Sequence, residues 1–301
     1  MTPITRTTWL IAFGDAISAG DFDAALRAIE SQATSHAGTA PVAEKRAAVK
    51  ETVKRLPAER LAETALWFAS RDNDTAKELG ALLLARSYPQ HPQDAIAALR
   101  HLADDGNWEV REWAGSATGI VFDSGFDALL PEMHEWLRDE SQFVRRAVCI
   151  ALMGAADAKH PERAEPLLAL ADVLAGDSAE YVKRNTGPFA VGGALLGKHP
   201  EQTLEHVRRW AASDEEIRRW NAAMVFVAAN SRKHIDEGLA LLSGLATDKR
   251  RPIWMAVASA LKHLIKRDPD RVVPELRKWL LDDRKRPAAL AMRSTTLGDN
   301  P

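Results

Sequence analysis

A helix-start signature returns five times along this 301-residue chain at nearly the same interval: NWEVREWA, SQFVRRAV, AEYVKRNT, EEIRRWNA and RPIWMAVA. The aligned aliphatic positions are Val110, Val144, Val182, Ile217 and Ile253, which stand 34, 38, 35 and 36 residues apart. Ala76, in DTAKELGA, lies a further 34 residues upstream as a degenerate member. An interval in the mid-thirties with two helices per unit marks a repeat array, in which each unit packs only on its neighbours and the core grows as a ribbon. Within VRRAVCIAL, Val144, Ala147, Val148, Ala151 and Leu152 recur at i, i+3, i+4, i+7 and i+8, a single buried stripe on a helix. The opposite face carries Arg145, Arg146 and Cys149.

Between the signatures lie the partner helices: QHPQDAIAALRHL, GFDALLPEMHEWL, HPERAEPLLALADVL, HPEQTLEHVRRWA, HIDEGLALLSGLA and DPDRVVPELRKWL. Pro92, Pro161, Pro200 and Pro269 stand at helix entrances, where a missing N–H goes unnoticed. Upstream, Thr8–Ser18 and Phe22–Gln32 read as short helices broken at Gly20, and SHAGTAP (35–41) reads as a loop. A further pair is expected at Val42–Arg55 and Ala58–Ser70. The expected fold is all-α, a HEAT-like α–α superhelix: a right-handed solenoid of about six helical-pair repeats. Residues 1–40 are expected to form a helical lead-in, 41–293 one repeat array and 294–301 a flexible tail.

The 40 basic and 42 acidic side chains nearly cancel, so net charge alone selects no partner. The single cysteine, Cys149, excludes an internal disulfide and fits a reducing cytosol. The opening MTPITRTTWLIAFGDAIS is too short and too interrupted for a signal peptide or a membrane span. A cytoplasmic, monomeric protein without a membrane partner is therefore expected. The histidines form neither HExxH nor a Cys/His cluster, so no metal is expected. His160 and His199, in KHP contexts, read as turn residues. AVGG around Val191 lacks the spacing of a phosphate loop, and no cofactor is expected. Gly192 and Gly193 read instead as loosening or kinking a helix.

The sharpest chemistry lies at the start of the second helices. Arg111 stands alone, followed by Arg145-Arg146, Lys183-Arg184 and Arg218-Arg219, with Lys249-Arg250-Arg251 ahead of the last. Equivalent positions in stacked repeats sit about 10 Å apart, which would make a basic ladder. Two readings apply to it. Asp105, Asp139 and Asp177 each precede a base by six residues, so Arg111, Arg145 and Lys183 read as a structural ladder that ties adjacent repeats and caps helix ends. Arg146, Arg184 and Arg219 have no acid at matching spacing and read either as polyanion contacts or as a solvated face. Trp136, Trp210 and Trp279, at the ends of first helices, read as core. Tyr181 and Trp220, beside the bases, are candidates for stacking on a base or sugar.

Taken in order, WEVREWAG, LLPEMHEWLRDESQFVRRAV, DSAEYVKRNTG…KHPE and VRRWAASDEEIRRWNAA give residues 60–230 a resemblance to the HEAT-like DNA alkylation repair superfamily of bacterial DNA glycosylases. The resemblance implies a solenoid that grips the DNA backbone with basic residues and sets a Trp/acid pair against the damaged nucleotide. A carboxylate suits that work, because a cationic alkylated purine leaves readily and the sugar's developing positive charge needs support. By the resemblance, Trp108 and Glu112 occupy the Trp-x-x-x-acid spacing as catalytic residues, with Glu where active members commonly have Asp. Arg146 matches the backbone-binding arginine. Arg145, Lys183, Arg184, Arg219, Tyr181 and Trp220 complete the candidate DNA-binding set. After YVKRNTG the active families place Trp, or Asn with a downstream Asp; this chain has Pro188, Phe189 and AVGGALLG, which removes one wall of the implied pocket. Two alternatives follow: a damaged- or branched-DNA binder without catalysis, or a scaffold with a protein partner.

Overall fold

The computed structural model describes residues 6–34 and 38–296. Residues 35–37 of the expected loop, His36 among them, and residues 297–301 of the expected tail lie outside the described residues. Among those described there are helices and turns and no strand. Two compact units divide the chain, residues 1–126 and 127–301.

The first unit holds α1 (Arg6–Ala19), α2 (Phe22–Glu30), α3 (Val42–Arg55), α4 (Ala58–Ala69), α5 (Asp74–Ser87), α6 (Pro92–Ala103) and α7 (Trp108–Ser124). The α1–α2 turn is made at Gly20, whose φ of 78° lies where a side chain is disfavoured. Asparagines open the two signature helices. Asn73 accepts from the Ala76 amide at 2.9 Å, and Asn107 accepts from the Glu109 amide at 2.8 Å. Such caps satisfy amides that have no partner within the helix. Helix α5 packs on both α4 and α7. Its approach to α4 requires Gly80, where a Cβ would sit 2.4 Å from the Ala69 nitrogen.

The second unit holds α8 (Phe126–Trp136, its first residue at the boundary), α9 (Gln142–Ala155), α10 (Ala164–Ala175) and α11 (Glu180–Asn185). A π-helix (Thr186–Leu195) follows, then α12 (Leu196–Lys198), α13 (Pro200–Ala212), α14 (Glu216–Met224), α15 (Ile235–Leu245), α16 (Arg251–Arg267), α17 (Pro269–Leu281) and α18 (Arg286–Thr296). Prolines stand at the entrances of α6, α13, α16 and α17, and Pro161 opens a short 3₁₀ turn ahead of α10. The expected stripe on α9 is buried throughout. Trp136, Trp210 and Trp279 are buried as expected, each with its indole N–H donated to a carboxylate: Glu132 at 2.9 Å, Asp172 at 2.6 Å and Glu275 at 3.0 Å. The helix pairs and their interval are those of a HEAT-like repeat.

The kink expected at Gly192–Gly193 is a ten-residue π-helix. Pro188 explains why an α-helix cannot continue, since its ring removes one N–H and crowds the carbonyl four residues back. Neighbouring asparagines take up the displaced groups. Buried Asn221 accepts from the Gly187 amide at 3.0 Å and donates to the Ala175 carbonyl at 3.0 Å. Asn230 donates to the carbonyls of Gly192 and Gly193 at 3.2 and 2.9 Å. Gly192 permits the contact with the following segment, because a Cβ there would meet the Val225 carbonyl oxygen at 2.3 Å.

Candidate functional site

In the first unit, Asn107 fixes where α7 begins, and with it the direction in which Trp108 and Glu112 project. Its amide N–H is held by Asp105 at 2.7 Å, and its side chain donates to Asp74 at 2.7 Å. Trp108 is 59% exposed, a large apolar ring left in water at a helix N-terminus. Glu112 lies one turn further on, and both line a cleft of about 240 Å³ with Pro41, Lys45, Glu109 and Trp113. The structure thus brings the Trp108/Glu112 pair together on one wall and adds a second Trp/Glu pair beside it.

Beneath that cleft lies a buried ion pair. Lys45 on α3 donates to Glu78 Oε2 on α5, with both side chains almost wholly inaccessible. The Lys45 ammonium also lies 5.0 Å from the centre of the Trp113 ring. Burial pushes the Glu78 carboxyl up to about 7 despite Lys45, and the adjacent Glu109 carboxyl adds to the rise. Thr39 donates to Glu109 Oε2 at 3.3 Å.

The basic ladder resolves into distinct roles. Arg145 donates from Nη1 to the carbonyls of Asp139 and Glu140 in its own turn, at 2.8 and 2.9 Å. Its Nε reaches Asp177 Oδ2, in the following repeat, at 2.6 Å. Arg111 makes the same turn contacts, to the carbonyls of Asp105 and Gly106 at 2.6 and 2.9 Å. Lys77 pairs with Asp105 at 2.8 Å, repeating the link to the following turn inside the first unit. For Arg145 and Lys77 the nearer acid thus belongs to the next repeat, while the turns ahead of Arg111 and Arg145 supply carbonyl oxygens.

This pattern corrects the reading of Arg219. It donates to the carbonyl of Ser213, six residues back, at 3.4 Å, and its Nε lies 2.8 Å from Asp248. Arg219 is therefore the counterpart of Arg145, and it has an acid partner. Hydrogen bonds from Arg250, with the charge of Arg219, hold Asp248 down at about 2. Arg218 pairs with Glu215 at 2.9 Å and reaches the Asp172 carbonyl at 2.7 Å. Arg184 also has an acid, Glu180, at 2.7 Å, although its side chain remains 71% exposed. Lys183 lies 3.6 Å from the same Glu180, with its ammonium 4.4 Å from the Trp220 ring centre.

Arg146 and Cys149, expected on the face opposite the stripe, are both buried. Arg146 is 6% exposed because the Tyr181 ring covers its guanidinium at 4.7 Å, while Asn185 accepts from it at 3.4 Å. Tyr181 itself meets Phe143 edge-on at 5.5 Å. Cys149 lies against the Thr186 hydroxyl at 3.5 Å, and burial pushes its thiol up to about 12. Beyond this cluster the π-helix builds an apolar groove of about 640 Å³, lined by Arg184, Pro188, Phe189, Trp220, Met224 and His263. Phe189 is 55% exposed there. Among the described residues no group of three His, Cys, Asp or Glu could hold a metal ion, and no helix is long and apolar enough to cross a membrane.

A sequence profile described as DNA alkylation repair enzyme matches residues 39–189 and 188–296. The chain belongs to the DNA alkylation repair enzyme family. Solved structures similar to it include AlkD2 from Streptococcus mutans, at 16% identity over 93% of this chain and 99% of that one, with a TM-score of 0.36. YibA of Escherichia coli shares 16% identity over 93% of this chain and 95% of that one, with a TM-score of 0.42. The karyopherin Kap121p reaches a TM-score of 0.52 at 13% identity, with 94% of this chain matching 33% of that one, a likeness of helical-repeat fold alone. No curated protein matches the sequence.

In this alkylation repair family member, the sequence singled out Trp108 and Glu112, which line the cleft, but not Lys45 and Glu109, which line it too, or Glu78, which pairs with Lys45. Glu109 stands beside Trp108 in the signature and was open to inspection. Lys45 and Glu78 gave no signal, since each reads as an ordinary charge on an amphipathic helix until α3, α5 and α7 are packed together.

Proposed function

We propose that this protein is a DNA glycosylase of the alkylation repair type, which excises cationic N-alkylated purines at the cleft beside Trp108 and Glu112. The observation that carries the reading is that the exposed Trp108 ring and the half-buried Glu112 line one cleft. Trp108 would lie against the damaged nucleotide. Glu112 would support the positive charge that grows on the sugar as the N-glycosidic bond breaks, and would orient the attacking water. Arg184, the most exposed member of the basic pairs, is assigned a phosphate contact, as are Lys183, Arg145 and Arg219 where their remaining donors reach solvent. Arg146, stacked on Tyr181, and Trp220, stacked under Lys183, are assigned to the same interface.

The test is release of methylated bases from alkylated duplex DNA, with Glu112→Gln alongside. Loss of one preorganised electrostatic group of this kind lowers turnover about 10²- to 10³-fold. Equal release by both proteins would remove Glu112 from the chemistry. A second reading, a damaged- or branched-DNA binder without catalysis, is favoured by one observation: residues 186–198 hold an apolar π-helix with no Trp, Asn or Asp. Under that reading the wild type retains DNA at low salt and releases no base. Absence of both release and DNA binding would favour the protein scaffold.

A further inference from the structure

We propose that Glu109 is a second catalytic carboxylate of the cleft, poised by a proton that it shares with buried Glu78, and that Glu78 and Lys45 are its positioning residues. The proposal rests on the glycosylase reading for its chemistry and on the geometry of the first unit for the shared proton.

The geometry is a matter of counting donors. Glu78 Oε2 accepts from Lys45, but Oε1 is fully buried and has no hydrogen-bond partner while the carboxyl is ionised. A buried carboxylate oxygen without a donor is strongly disfavoured. The neighbouring carboxyl on α7 is Glu109, whose proximity favours the protonated form of Glu78. Two ionised carboxylates in that position repel, with no hydrogen between them to share. One proton on Oε1 removes both problems: Glu78 then accepts from Lys45 and donates to Glu109. The Lys45 ammonium balances the remaining negative charge, and its other face rests on the Trp113 ring. Lys45 from α3 and Glu109 from α7 are the charged groups that act on Glu78.

The consequence is a carboxylate whose direction is set from below. Glu109 receives Thr39 on Oε2 and the proton of Glu78, and it lines the cleft beside Glu112. Base excision forms a C1′–O bond to water and breaks the C1′–N bond, whose electron pair neutralises the cationic base. The water must lose one proton. Glu109 accepts it, and then releases it to solvent when the product leaves. Glu112 is left as the carboxylate facing the sugar's positive charge.

The test uses the full-length protein with Glu109→Gln and Glu78→Gln. The second variant is close to isosteric with the protonated acid, since its amide oxygen accepts from Lys45 and its amide nitrogen donates to Glu109. Single-turnover base release from methylated duplex DNA is followed between pH 5.5 and pH 9, a range set by the ordinary carboxyl value of about 4.3 and the upward shift. Glu109→Gln should slow release about 100-fold. Wild-type release should decline on the alkaline side as Glu78 loses its proton, and Glu78→Gln should abolish that decline. A Glu109→Gln protein that releases bases at the wild-type rate, or an alkaline limb that survives Glu78→Gln, overturns the catalytic role.

Carbon-13 NMR of the glutamate carboxyls, without DNA, reads the shared proton separately. One carboxyl should titrate near neutrality, vanish in Glu78→Gln and move to lower pH in Glu109→Gln. If no carboxyl titrates above the ordinary range, or if Glu109→Gln leaves its position unchanged, the shared proton is refuted. A wild type that releases no base refutes the glycosylase reading and the role of Glu109 in it, while the proton still stands or falls on the NMR titration.

Discussion

Replacing Glu78 by Gln sets burial against the Lys45 ammonium as the force that governs this carboxyl. Burial withdraws water from the charged form and Lys45 favours it; the balance leaves the folded-state value raised from 4.5 to about 7. Between those pH values the folded protein keeps a proton that the unfolded chain has released. The contribution of Glu78 is therefore fully present below the unfolded value and is lost as pH rises through the folded one. Each pKa unit corresponds to about 1.4 kcal/mol, so the whole span amounts to about 3 kcal/mol of stability. The substituted amide does not titrate and preserves both hydrogen bonds. Urea unfolding of wild type and Glu78→Gln, compared at pH 4.5 and pH 8, should show the variant gaining about 3 kcal/mol on the wild type at the higher pH. A difference that stays constant with pH would mean that Glu78 titrates normally. A wild type that gains on the variant as pH rises would mean that Lys45 outweighs burial, and the reasoning would be wrong in sign.

Three further outcomes follow from particular contacts. Gly192→Ala should destabilise by about 2 kcal/mol, because its Cβ meets the Val225 carbonyl oxygen at 2.3 Å, whereas Gly193→Ala, with its nearest atom at 3.5 Å, should change urea midpoints little. Arg184→Ala should weaken retention of duplex DNA in a gel shift and lower the salt slope by about 1; an unchanged slope would remove Arg184 from the interface. Cys149, buried and with its thiol pushed up to about 12, should react with a disulfide reagent only after unfolding, and rapid labelling of the native protein would contradict that burial.

Local patterns were strong enough to place the helices from the residues alone. The pair expected at Val42–Arg55 and Ala58–Ser70 is observed as α3 and α4, to within one residue. Prolines 92, 200 and 269 mark helix entrances because the rule depends on one ring and its immediate backbone. The buried stripe on α9 was legible for the same reason: a helix repeats its faces every few residues whatever surrounds it. The Trp108/Glu112 pair follows from that spacing too, as one turn of α7 sets both on one wall of the cleft.

The partners of the charged side chains were decided elsewhere. The spacing suggested a ladder that ties adjacent repeats, but which acid serves Arg145 was not legible: its own turn supplies carbonyls and the carboxylate comes from Asp177, 32 residues on. Arg219 looked unmatched because Ser213 stands where the other repeats have Asp, and its acid, Asp248, belongs to the next repeat. Arg146 looked solvent-facing on a helical wheel and is covered by Tyr181 from another helix. Periodicity reports which face of one helix avoids water. It cannot report which neighbour covers the opposite face. The Lys45–Glu78–Glu109 cluster is the extreme case, drawn from three helices and meaningful only once packing removes water from Lys45 and Glu78. Helix positions were thus set by near-neighbour chemistry along the chain, whereas the charges that can do chemistry were selected by desolvation, which exists only in the packed structure.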